Sequence, residues 1–157
     1  VVVYLIMNVG AFLVVGMIAN VTGSEDIENY RGLAWRGAVV PAACLAVFLL
    51  SLTGLPPFAG FIGKFFLFAA VLKAGGVFVI LALVAVMNSV VSLYYYAKII
   101  KTMFLDAPNP EDKTVSLGAA EFNFTLLLPL TVLTVVFGIY FSPLLRYTTQ
   151  SLKFFIQ

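Results

Sequence analysis

Residues 54–65 read Gly-Leu-Pro-Pro-Phe-Ala-Gly-Phe-Ile-Gly-Lys-Phe and interrupt a long apolar stretch, Gly37 to Ala97, whose only charges are Lys64 and Lys73. Proline lacks an amide donor and pushes the residue before it out of the helical region. Gly54, Pro56 and Pro57 therefore end one helix near Thr53 and start another at about Pro57. Gly60 and Gly63 follow closely, so the segment predicts a discontinuous helix with unpaired backbone carbonyls. Inside a bilayer such backbone is tolerated where it is buried in protein or lines a hydrated cavity, and broken helices of this kind build ion sites in transporters. On the glycines alone, close helix packing through small residues explains the pattern equally well.

The rest of the chain agrees with a membrane setting. Of 157 residues, 62% are hydrophobic and 10% charged, against about 45–50% and about 25% in soluble domains. A net charge of +2, dispersed along the chain, is no nucleic-acid footprint. One Cys and no His leave no zinc, haem or iron-sulfur ligand set within the chain and no internal disulfide. Cys44, in an apolar span, is expected to be an inert thiol.

A helix needs about 20 apolar residues to cross the hydrocarbon, which predicts an all-α polytopic bundle of about five spans in a single transmembrane domain. The expected spans are 1–20, 36–53, 57–72, 76–98 and 122–142, with loops at 21–35 and 104–121. The first apolar run begins at Val1 without a cap or basic flank, so it reads as a cut helix and not as a secretory signal. Lys98 and Lys101 close the fourth span, the loop after Asp106 is rich in Pro and charge, and the last span carries Pro129. The runs are continuously apolar, which argues against the alternation of a barrel. Counting alternate loops puts Arg31, Arg36, Lys73, Arg146 and Lys153 opposite Lys98, Lys101 and Lys113, a poor orientation signal.

Lys64 lies about 12 Å of helix rise beyond Pro56, near the middle of a layer about 30 Å thick. An ionised amine at that depth costs about 2.5–3.5 kcal/mol on insertion scales, so it persists where it faces protein or water. Burial also favours the uncharged amine, which makes a proton relay available. The alternative is a side chain that snorkels to an interface and does nothing further. No Asp or Glu occurs in any expected span, so a counter-charge must lie elsewhere.

Other polar residues are candidates for a water path. Asn88, Ser92 and Tyr95 recur at spacings of four and three and share a helix face, with Ser89 and Tyr96 adjacent. They could line a water chain from Lys64, or serve as interhelical glue with an aromatic belt at Tyr94–Tyr96. Tyr4 and Asn8 could face the same interior. Lys73 and Lys98 sit at span ends as anchors, Lys98 also being a candidate exit for protons. Glu25, Asp26, Glu28, Glu111 and Asp112 fall in loops and read as solvated surface.

Three strings, residues 4–12 (Tyr-Leu-Ile-Met-Asn-Val-Gly-Ala-Phe), 54–65, and 89–101 (Ser-Val-Val-Ser-Leu-Tyr-Tyr-Tyr-Ala-Lys-Ile-Ile-Lys), resemble the antiporter-like N-subunit family of proton-pumping NADH-quinone oxidoreductase, complex I. The resemblance covers nearly the whole chain and is to the last third of a fourteen-helix subunit. It implies that Lys64 matches the lysine of a discontinuous helix on a hydrated axis that moves protons. It further implies quinone reduction in other subunits, with NADH, FMN, iron-sulfur clusters and quinone bound there and no cofactor in this chain. The implied partners are the other complex I membrane subunits and the lipid bilayer, with no nucleic acid. The implied location is the bacterial cytoplasmic membrane, or an organellar one. The family places both termini on the periplasmic face and the 98–121 loop in the cytoplasm, against the charge count. The alternative is the D-type component of an Mrp cation/proton antiporter, which has a similar Gly-Leu-Pro-Pro segment before a lysine.

Overall fold

The computed structural model describes residues 1–109, 114 and 121–142. It is all-helical over these residues, with α1 (Val2–Thr22), a single 3-10 turn (Ile27–Tyr30), α2 (Val39–Thr53), α3 (Ala59–Ala74), α4 (Val77–Phe104) and α5 (Glu121–Ile139). At 1.5 Å per residue, α1 and α4 rise about 32 and 42 Å, enough to cross a bilayer alone, whereas α2 and α3 rise only about 22 and 24 Å. The helix α5 runs through Pro129.

Two boundaries differ from the sequence expectation for a clear reason. α2 begins at Val39 rather than 36 because residues 31–36 are bound to the end of α4. The Gly32 amide donates to the Thr102 carbonyl (2.9 Å), the Ala34 amide to Met103 (3.1 Å), Trp35 Nε1 to Phe104 (2.9 Å) and Arg31 Nε to Ala107 (2.9 Å). A helix leaves its last four carbonyls without intrahelical donors, and this strap supplies donors there. The same contacts extend α4 to Phe104, beyond the expected stop at 98. They also put the end of α1, the start of α2 and the end of α4 at one end of the bundle.

The core joins α1, α2, α5 and the last turn of α4 through Val14, Ile18, Leu45, Phe48, Met103 and Leu127, all essentially inaccessible. Gly10 makes the α1–α2 contact close, because a Cβ there would overlap the Phe48 ring. By contrast, only Ala82 and Met103 of α4 are buried. The exposed Phe78, Ile80, Leu81, Leu83 and Val84 make an apolar surface far larger than an aqueous monomer carries, consistent with lipid or further protein around it.

Candidate functional site

Helix α2 ends at Thr53, where Gly54 takes the left-handed conformation at φ 87°, a region that suits a residue without Cβ. Leu55–Phe58 then form the break before α3 starts at Ala59. Two glycines hold the break in place. A Cβ on Gly60 would collide with the Ser51 carbonyl, and one on Gly138 of α5 would collide with the Pro57 carbonyl. Ser51, fully buried, accepts the Gly60 amide on its hydroxyl (3.1 Å) and donates to Met7 Sδ of α1 (2.7 Å).

Side chains on a helix lean toward its N-terminus. Lys64, in the second turn of α3, therefore reaches back over Gly54 to the open end of α2. Its Nζ donates to the Thr53 carbonyl and to Ser89 Oγ on α4, each at 2.9 Å. Ser89 Oγ in turn donates to the Ala85 carbonyl (3.0 Å), which fixes its lone pairs toward the amine. The open carbonyl end of α2 presents partial negative charge toward this amine. Among the described residues no carboxylate pairs with Lys64, whose hydrogen-bond partners are these two neutral oxygens. The amine is half-buried. Ser89 lies about 18 Å of rise from the start of α4 and about 22 Å from its end, so Lys64 is held midway along the longest helix.

Lys64 lines two cavities. One, of about 250 Å³, faces α4 and includes Thr53, Gly54, Ser89 and Val90. The other, of about 380 Å³, faces α1 and includes Tyr4, Met7, Ser51, Gly60 and Gly63. A third cavity, of about 270 Å³, lies between α1, the 3-10 turn, α2 and α4. Its polar lining is Asn8, Glu25, Tyr30 and Tyr96. Burial, then the Glu25 charge, push the Tyr30 phenol above its usual range, so it stays a neutral hydroxyl.

The expected water-path residues do not gather around the lysine. The face of α4 toward Lys64 carries Val86, Ser89, Val90 and Leu93. Asn88, Ser92 and Tyr95 lie roughly opposite, at 100° per residue. Asn88 and Tyr95 are exposed, and the Ser92 hydroxyl returns to the Asn88 carbonyl (2.9 Å). Lys98 is exposed near the far end of α4. Tyr4 does reach the lysine's cavity, whereas Asn8 lines the third one. Of the glycines, Gly54 and Gly60 make close contacts, and Gly63 faces open space. The partners that spacing did not single out are the Thr53 carbonyl and Ser89. The available signal for Ser89 was that it is the hydroxyl directly beside Asn88.

Residues 1–92, which contain both Lys64 and Ser89, match the family model described as NADH:quinone oxidoreductase/Mrp antiporter, transmembrane. The chain belongs to this family. The expected resemblance is thereby met, and individual relatives narrow it. The chain is 46% identical to NADH-quinone oxidoreductase subunit N of Anaeromyxobacter sp. (strain Fw109-5), over 98% of this chain and 30% of the relative. It is 46% identical to subunit N 2 of Chloroherpeton thalassium, over 96% of this chain and 29% of the relative. It is also 38% identical to NAD(P)H-quinone oxidoreductase subunit 2 of Synechococcus sp. (strain JA-3-3Ab), over 96% of this chain and 30% of the relative. The chain thus spans about 30% of the length of the curated relatives it matches.

Proposed function

We propose that this chain is part of a membrane-arm subunit of NADH-quinone oxidoreductase and that Lys64 is a reversible proton carrier within it. The observation that carries this reading is an amine beside the middle of α4, held by two neutral oxygens at a broken helix and flanked by cavities on both sides. Such an amine can take a proton from water in one cavity and release it to the other. Quinone reduction in partner subunits, which hold the NADH, FMN, iron-sulfur and quinone sites, supplies the energy as shifts of nearby charge. The relatives' names favour this reading over an Mrp-type antiporter, which the same family model also covers.

In this reading α2 and α3 cross the membrane together as one broken span. Their joint lengths match α4, and the break lies beside Ser89 at the middle of α4. The chain then makes four crossings in a cytoplasmic membrane. Arg31, Arg36, Lys98 and Lys101 fall on one face and Lys73 on the other, which makes the first face cytoplasmic by the positive-inside rule. Among the described residues the charge count then agrees with the family orientation, and Lys113, Arg146 and Lys153 of that count lie outside them.

The test is Lys64→Met in the full-length subunit of an assembled complex, with NADH-driven acidification of inverted vesicles as the readout. Proton transfer groups contribute about 10²–10⁴ in rate, so pumping should fall by at least about tenfold with assembly intact. Lys64→Arg should fail too, because guanidinium stays protonated. Normal pumping by an assembled Lys64→Met complex refutes the carrier role.

A further inference from the structure

The third cavity lies outside the lysine site, yet one side chain joins the two. Leu52, the penultimate residue of α2, lines both the 380 Å³ cavity that holds Lys64 and the 270 Å³ cavity that holds Glu25. The two cavities are stacked along α1. Tyr4 and Met7 line the lower, while Asn8, Ala11 and Val15 line the upper, and Glu25 follows just past the end of that helix. On α2, Leu45 and Leu49 line the upper cavity, Ser51 faces the lower one, and Leu52 lines both. Each volume is many times the about 10–15 Å³ that one water needs. Water also needs polar partners, and these occur on both sides of Leu52: Lys64, Ser51 and Tyr4 below, Asn8, Tyr96, Tyr30 and Glu25 above.

We propose that Leu52 is an apolar gate between the Lys64 chamber and a second chamber, which carries protons between Lys64 and the face bearing Glu25. The proposal rests on the carrier role of Lys64. A branched aliphatic side chain between two wettable spaces closes the path by excluding water, the device used by hydrophobic gates in channels. Half-buried and at the end of a helix that stops one residue later, Leu52 can turn aside without unpacking the core around Phe48. When it does, a continuous water file links the amine to the Glu25 carboxylate, whose negative charge raises the local proton concentration at the mouth. With Leu52 in place, Lys64 exchanges protons only within its own cavities. The charged loop at Glu25, which sequence alone reads as solvated surface, then acts as the outer end of a half-path.

The experiment uses the full-length subunit in the assembled complex, reconstituted into liposomes and driven by a potassium-diffusion potential without NADH. Leu52→Ala should raise passive proton uptake severalfold, and the double variant Leu52→Ala/Lys64→Met should return it to the parent level. Leu52→Val, which keeps a branched side chain, gives an intermediate leak and covers the case in which the alanine variant does not assemble. In a Cys44→Ser background, Ala11→Cys should react with a membrane-impermeant thiosulfonate applied from the Glu25 face. Parent-level leak in both Leu52 variants, a leak that survives Lys64→Met, or an unreactive Ala11→Cys overturns the gate. These results leave the carrier role standing as long as Lys64→Met by itself abolishes NADH-driven pumping. Normal pumping in Lys64→Met overturns the carrier role instead.

Discussion

Gly54→Ala isolates the contact between the broken helix and the lysine. At φ 87° an L-residue costs about 1–2 kcal/mol that glycine does not. The added methyl would also stand 2.8 Å from Lys64 Cδ, where carbon atoms settle at about 3.5–4.0 Å. The stem must therefore move by roughly 1 Å, and a 2.9 Å bond stretched by that much is no longer a hydrogen bond. Losing one bond to a charged donor costs about 1.5–3 kcal/mol. The total is roughly 2.5–5 kcal/mol, of which about 1.5–3 kcal/mol falls on the position of the amine. Because about 1.4 kcal/mol corresponds to a factor of ten, NADH-driven acidification of inverted vesicles, normalised to assembled complex, should drop by at least about tenfold. Gly63→Ala is the matched control: it sits one residue from Lys64, is helical, and its new Cβ meets nothing within 4 Å. Alanine there gains about 0.8–1 kcal/mol of helix propensity, so pumping and thermal stability should stay at or above the parent. Equal damage from both substitutions, or none from Gly54→Ala, would refute the geometry around Lys64.

Gly60→Ala drives a methyl into the Ser51 carbonyl, and overpacking of this kind costs about 1–3 kcal/mol; the assembled subunit should melt earlier in a detergent thermal ramp, and an unchanged melting point would mean that α2 and α3 are not in contact there. Ser89→Ala removes one of the two acceptors of the Lys64 amine and should slow pumping severalfold. Asn88→Ala and Tyr95→Phe, on the opposite face of α4, should leave vesicle acidification within about twofold; the reverse ranking would mean that α4 is rotated from the orientation described.

Membrane character, helical class and the site of the break were legible in the amino-acid sequence, because hydrocarbon thickness and the chemistry of proline and glycine act locally. An uncharged run interrupted by Gly54, Pro56 and Pro57 has few other outcomes. Counting rise from Pro56 takes the break as one edge of the hydrocarbon, whereas the folded chain sets the break itself beside the middle of α4, with the amine reaching back to it. What surrounds the amine is not local to the chain either. α4 is apolar on every side, so no hydrophobic stripe marks its inner face, and the spacing of Asn88, Ser92 and Tyr95 identified a real face that points away from Lys64. Only packing against α2 and α3 turns Ser89 inward. Likewise Gly54, Gly60 and Gly63 look alike in the sequence, but contacts with Lys64 and Ser51 separate the first two from the third. That the break between α2 and α3 lies beside the middle of α4 is seen only in the folded chain, through the bonds of Lys64 to Thr53 and Ser89, while the strap at residues 31–36 ties the start of α2 to the end of α4. Solubility and helix termination are decided by a residue and its immediate neighbours. Rotation and depth relative to other helices are decided by contacts between residues far apart in the chain.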